Sequence, residues 1–173
     1  MLDLTTERLI LRVITEESIN PYLNELFDLY QNEKIHEFYP DGPMSKEQAR
    51  GELDFFIREF KEKKIPCFLI LNKEDKSFIG LCGFSGASQE SIDVGYMLLE
   101  KYWNRGFATE CLIKLLEWGD HYFNLSRIIA YTPSEHFASI KVMKKSGMIY
   151  KETKISPIYH VICDYYVWNI LKK

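Results

Sequence analysis

The chain reads as one α+β domain, a mixed α/β arrangement in which helices flank a central sheet. Three observations predict this. Short runs rich in β-branched and aromatic residues are interspersed with stretches whose apolar residues recur every three or four positions. The second half runs strand, helix, strand, helix, strand. The 173 residues contain no internal repeat, linker or low-complexity tract, so a single domain covers 1–173.

The first strand is Arg8–Ile14, "RLILRVI". A helix follows with Asn20 as N-cap and Pro21 in its first turn, and Leu23, Leu26, Phe27 and Tyr30 recur at helical spacing. "PDGPM" (Pro40–Met44) interrupts the chain. Ser45–Gln48 is then a capping box opening a helix to about Lys63, with Leu53, Phe56, Ile57 and Phe60 on its apolar face. "CFLILNK" and "FIGLCGF" are two strands of a hairpin across "EDKS", and Ser91–Leu99 is the next strand. From Gly106 to Phe123, Phe107, Cys111, Leu112, Leu115, Trp118, Tyr122 and Phe123 share a helical face. Arg127–Thr132 is a short buried strand, "PSEHFASIKVMKKSGM" a helix stopped by Gly147, and "YHVICDYYVWNIL" a long closing strand.

Composition narrows the function classes. The 22 basic and 25 acidic residues are spread along the chain, which argues against a broad nucleic-acid footprint while leaving room for one local anion site. Cys67, Cys82, Cys111 and Cys163 are far apart with no C-x-x-C, and His36, His121, His136 and His160 lack ligand spacing, so buried free thiols and no metal are expected. The start, "MLDLTTERLILR", carries acids and an arginine where a signal peptide has an apolar run. No stretch approaches the ~20 apolar residues of a membrane span. A cytoplasmic protein without membrane contact is the expectation.

"YMLLEKYWNRGFATE" is a strand end, a short loop and a helix start. Free N–H groups and the helix dipole make such a junction an anion site. Gly106 and Ala108 remove bulk around those groups, and Arg105 adds positive charge. Gly106 has no glycine five residues earlier and no Lys-Ser/Thr after it, so a P-loop is absent; so is G-x-G-x-x-G after the first strand. Kinase, NTPase and dehydrogenase readings fall away.

"TERLILR", "IGLCGF" (Ile79–Phe84), "DVGYMLLEKYWNRGFATECL" (Asp93–Leu112) and "ASIKVMKKSGM" (Ala138–Met148) occur in an order that resembles the GNAT superfamily of acyl-CoA-dependent N-acyltransferases. The chain is most similar to the RimJ/RimL-type branch, named for N-terminal acetylation of ribosomal proteins. The resemblance implies a GNAT fold whose sheet splays between the fourth and fifth strands, Ser91–Leu99 and Arg127–Thr132, with acetyl-CoA as co-substrate. It maps the family loop [QR]-x-x-G-x-[GA] onto Trp103–Ala108, with Trp103 in place of Gln or Arg. The N–H groups of Asn104, Arg105, Gly106, Phe107, Ala108 and Thr109 would then cradle the pyrophosphate. Met97, Leu98 and Leu99 would offer strand edge to the pantetheine arm.

Amine acetylation needs a neutral amine, and hence a base to take its proton. By resemblance that base is Asp93, where similar proteins often carry glutamate, and the Leu98 N–H stabilises the oxyanion. The family helix pattern places His136 at a CoA-bonding asparagine position, Ser139 at its A/S position and Met143 at the position of a tyrosine acid. A tyrosine acid there is excluded. Ser139 is the candidate acid, and His136 either replaces the asparagine's bond to CoA or titrates. Lys141, Lys144 and Lys145 can meet the 3′-phosphate or simply be a solvated face. Glu37, Tyr39 and Asp41, with Tyr159 and His160 in the last hairpin, are candidates for receiving a cationic amine. The acceptor is a small-molecule amine or a protein or peptide N-terminus, and a homodimer is left open. Transfer is expected to be direct, since spacing puts Cys111 on the core face of its helix. The alternative is a GNAT domain that binds acyl-CoA as a sensor without turnover.

Overall fold

The structure, a computed structural model, describes residues 2–38 and 41–170. Among these residues eight strands form one sheet in the order β1-β2-β3-β4-β5-β6-β8-β7. They are β1 (Asp3–Thr5), β2 (Leu9–Val13), β3 (Cys67–Asn72), β4 (Phe78–Ser85), β5 (Ser91–Leu98), β6 (Arg127–Pro133), β7 (Ile149–Ile155) and β8 (Ile162–Asn169). The helices are α1 (Glu16–Ile19), α2 (Leu23–Gln31), α3 (Glu33–His36), α4 (Lys46–Lys63), α5 (Phe107–Tyr122) and α6 (Phe137–Lys145).

Strand alternation sorts apolar residues onto two faces. Leu9, Leu11, Phe68, Ile92, Val94 and Ile128 face α5 and α6, meeting Cys111, Leu112, Leu115 and Met143. Ile10, Leu69, Leu71 and Leu81 face α2 and α4, meeting Leu26, Leu29, Tyr30 and Leu53. All four cysteines are free and buried, Cys111 fully so.

Several boundaries differ from the expectation. The first helical path begins at Glu16, not after Asn20. Thr15 caps it, accepting from the Ser18 N–H while Ser18 Oγ accepts from the Thr15 N–H. Asn20 sits inside the path with helical φ −51° and starts a 3₁₀ turn through Tyr22. A serine at the third position, where a capping box usually carries Glu or Gln, hides this start. The closing strand begins at Ile162. Tyr159 and His160 lie in the turn before it, where the His160 N–H donates to the Ser156 carbonyl. β7 and β1 were not expected. β7 is an edge strand with six of its seven residues exposed, so it lacks an alternating apolar signature.

The α4 capping box is present as read, with Ser45 Oγ accepting from the Gln48 N–H. So are the β3–β4 hairpin and the helix stop at Gly147, whose φ is +85°.

Every neighbouring pair in the sheet is antiparallel except β5–β6, which α5 connects as a parallel crossover. That pairing covers only Ser91↔Arg127, Ile92↔Ile128 and Asp93↔Ile129. Beyond Asp93 the two strands diverge, each held by its outer neighbour: β5 by β4 as far as Leu98, β6 by β8 as far as Pro133. The sheet is therefore splayed between the predicted fourth and fifth strands, which the added β1 renumbers β5 and β6.

Candidate active site

Asp93 sits at the vertex of this splay, in the last residue pair before the strands part. Ile92 and Val94 point into the α5 core, so Asp93 points to the α2–α4 face. Its carboxylate lies beside Gly86, where an added Cβ would stand 2.8 Å from Oδ2. Burial pushes its pKa up to about 6 by desolvating the carboxylate.

Next to Asp93 on that face is Gly95, an exposed position where a Cβ would meet nothing within 4 Å. Across the opening, alternation on β6 turns Tyr131 to the same side. Its ring stacks on Tyr165 at 4.9 Å and lies 5.7 Å from Tyr159. A carboxylate, an open glycine floor and tyrosine rings thus border one space.

The edge of β5 supplies backbone groups. The Leu99 N–H donates to Ile79 and its carbonyl accepts from Tyr102, both at 2.9 Å. Strand hydrogen bonds alternate sides, so Met97 also faces β4, while Leu98 and Tyr96 turn their backbone groups into the opening. Of the three residues expected to offer edge to an extended ligand, Leu98 turns its N–H into the opening, whereas the backbone groups of Met97 face β4 and those of Leu99 are bonded to Ile79 and Tyr102. The Leu98 carbonyl accepts from Trp103 Nε1 at 2.8 Å. That bond gives Trp103 a purpose where the family carries Gln or Arg.

The loop before α5 is wound by two left-handed residues, Asn104 (φ +58°) and Gly106 (φ +81°). Among the described residues the N–H groups of Asn104, Arg105, Gly106, Phe107, Ala108 and Thr109 have no acceptor, and the first to find one is Glu110, on the Gly106 carbonyl. Six free donors at a helix start form an anion nest. Arg105 holds its guanidinium 5.0 Å from the Phe107 ring centre and 5.7 Å from that of Tyr102. A groove of about 560 Å³ runs alongside, lined by Arg8, Gly106, Thr109 and Lys145 among others. Of the α6 lysines, all exposed, Lys145 lines this groove and Lys141 and Lys144 do not.

α6 closes the other wall. The Tyr96 hydroxyl spans the opening to Ser139, 2.9 Å from its Oγ, and donates to its carbonyl at 3.2 Å. Met143, at the expected tyrosine position, is buried. His136 precedes α6, with Nδ1 3.2 Å from Thr132 Oγ1 and its ring stacked on Phe38 at 4.3 Å. Burial lowers its pKa, and the charge of Glu37 partly offsets this. Glu37, the exposed residue beside Phe38, is thereby brought to His136, while Tyr159 stands across the opening with Tyr131. Tyr39 lies outside the described residues. Among the described residues no group of three His, Cys, Asp or Glu side chains is placed to hold a metal, and no helix is long and apolar enough to cross a membrane.

Against known proteins, the acetyltransferase (GNAT) domain family matches residues 8–149. The chain belongs to the GNAT family. This GNAT N-acetyltransferase is 30% identical over 147 residues to YoaA of Bacillus subtilis strain 168, covering 83% of this chain and 81% of that one. It is 30% identical over 180 residues to p20 of Bacillus licheniformis, covering 98% and 96%. Both are named as uncharacterized N-acetyltransferases. Its fold matches RimL, a ribosomal-protein alpha-N-acetyltransferase solved with coenzyme A, at TM-score 0.82 and 18% identity over 98% of each chain. It also matches a GNAT-family acetyltransferase from Bacillus anthracis, at TM-score 0.81 and 21% identity over 97% of this chain and 98% of that one.

GNAT acetyltransferases use acetyl-CoA, and the residues present fit it: unpartnered N–H groups suit its diphosphate, and the splayed edge of β5 suits an extended arm. Tyr96, Tyr131, Tyr165 and Phe38 are site residues that sequence reasoning missed. Tyr96, Tyr131 and Tyr165 each lie in a strand legible from the sequence, but only the register that pairs Tyr131 with Tyr165 brings those rings together. Trp103→Phe in this GNAT enzyme is expected to cost about 1 kcal/mol by losing the indole bond to Leu98, read as a lower urea midpoint.

Proposed function

We propose that the chain transfers an acetyl group from acetyl-CoA directly to a primary amine, with Asp93 as general base. The observation that carries this is the desolvated Asp93 carboxylate at the vertex of the splay, facing open space over Gly95. A carboxylate with a pKa near 6 is ionised at neutral pH yet basic enough to assist an ammonium's deprotonation. Acetyl-CoA supplies the activated acetyl group as a thioester. The N–H groups of Asn104–Thr109 hold its pyrophosphate, and Lys145 lines the groove beside the loop. The Leu98 N–H faces the position where negative charge develops on the acyl oxygen. Ser139, with Tyr96 on its hydroxyl, provides the proton for the departing sulfur, and neutral His136 bonds at the entrance. Glu37 and Tyr159 receive the acceptor with Asp93.

The acceptor is a protein N-terminus or a small-molecule amine, and the protein acts in the cytoplasm. RimL, an alpha-N-acetyltransferase of ribosomal protein L7/L12, shares this fold and supports the first acceptor class. Free-thiol release from acetyl-CoA tests the proposal, with N-terminal peptides, polyamines and aminoglycosides as a panel. Amine-dependent release with sequential initial-velocity patterns is the expected result. Ping-pong patterns with a stable acetyl-cysteine would overturn direct transfer, and CoA binding without release across the panel would favour a non-catalytic acyl-CoA-binding domain.

A further inference from the structure

Arg8 begins the Arg8–Arg12 segment of "TERLILR", far in sequence from the loop before α5, yet its side chain ends on that loop. Nη1 donates to the Arg105 carbonyl at 3.0 Å, and Nε donates to Glu110 Oε2 at 2.7 Å. The Arg8 N–H donates to Glu110 Oε1 at 2.9 Å, and Thr6 Oγ1 donates to the same oxygen at 2.6 Å. Thr6 Oγ1 in turn accepts from the Leu9 N–H at 2.9 Å, tightening the β1–β2 turn. The guanidinium carbon lies 4.4 Å from the Phe107 ring centre. Burial pushes the Glu110 carboxyl up, but these hydrogen bonds and the Arg8 charge more than offset it, leaving its pKa below the usual value.

The carbonyl and N–H of one peptide plane point in opposite directions. Holding the Arg105 carbonyl against Arg8 therefore turns the Gly106 N–H to the other side, among the free donors of the loop. Left alone, a left-handed glycine peptide can flip and present its carbonyl to the anion instead.

We infer that Arg8, clamped by Glu110 and Thr6, is the positioning residue of the CoA loop, fixing the Arg105–Gly106 peptide so that its N–H faces the diphosphate. This rests on reading the loop as the pyrophosphate site. It separates cleanly from two plainer roles. A counter-charge to phosphate would survive replacement by lysine. An ordinary surface ion pair would let CoA bind more tightly once the Glu110 charge was removed from beside an anion.

The test is calorimetric titration of the full chain with CoA, well below each variant's Tm, for wild type, Arg8→Lys and Glu110→Gln. Both variants are expected to weaken CoA binding about tenfold, as lost charge-assisted hydrogen bonds predict, and the double variant by less than the product. In turnover the loss falls on the KM of acetyl-CoA and not on kcat. Unchanged affinity in Arg8→Lys, or tighter binding in Glu110→Gln, overturns the positioning role while leaving the loop reading intact. Should Arg8→Lys fail to fold, the sign of the Glu110→Gln change still decides. A wild-type chain that does not bind CoA overturns the loop reading and the positioning role with it.

Discussion

Asp93→Asn is expected to lower kcat by about 10²- to 10³-fold at neutral pH, the scale of a lost general base, with CoA affinity retained. The wild-type rate should rise with pH through an acid limb centred near 6, where the desolvated carboxylate ionises. The variant should lack that limb and regain ground at alkaline pH, where the acceptor loses its own proton unaided. Stability supplies an independent reading with a definite sign. The folded pKa lies above that of the unfolded chain, so the folded state binds the proton more tightly. Wild-type stability therefore falls as pH rises from about 4 to about 6 and then levels. The asparagine variant escapes this loss, so its Tm should exceed wild type at pH 7 and converge with it below pH 4. Equal Tm values across that range, with an unchanged acid limb, would remove Asp93 from the mechanism.

Gly80→Ala is expected to destabilise the fold by about 3 kcal/mol, near the upper end for overpacking, lowering Tm by about 6–12 °C. A Cβ at Gly80 would stand 2.1 Å from the Met97 carbonyl oxygen and 2.8 Å from the Leu98 Cα. Both are backbone atoms, so no rotamer change relieves the clash and β5 itself must move. β5 is the strand whose Leu98 edge faces the opening, so the KM for acetyl-CoA should rise as well. Gly95→Ala is the matched control. Its Cβ enters open space, so stability should stay within about 1 kcal/mol while acceptor turnover falls. Thermal unfolding of the two variants side by side tests the contrast, and a Gly80→Ala protein as stable as wild type would refute it.

How far the sequence carries depends on whether a signal is local. The α4 start was legible because Ser45 and Gln48 satisfy each other's backbone within one turn. The α1 start was obscured by Pro21, a strong local cue that lies inside a helical path already begun at Thr15. β7 was invisible because an edge strand exposed along its length needs no buried alternate face. The anion loop was legible as a pattern of small residues. Its clamp was not, since Arg8 and Glu110 are 102 positions apart and each looks like an ordinary surface charge.

The sequence by itself determined the fold class, the order of the main elements, the family and the small-residue loop that opens α5, because periodicity, caps and glycine placement are properties of neighbouring residues. Tertiary structure alone decided which residues meet. It set Asp93 at the vertex where a three-pair parallel ladder ends, turned Leu98 rather than Met97 or Leu99 toward the opening, and brought Tyr96 to Ser139 and Phe38 to His136. Strand register and helix packing fix such meetings, and they join side chains that no local pattern connects.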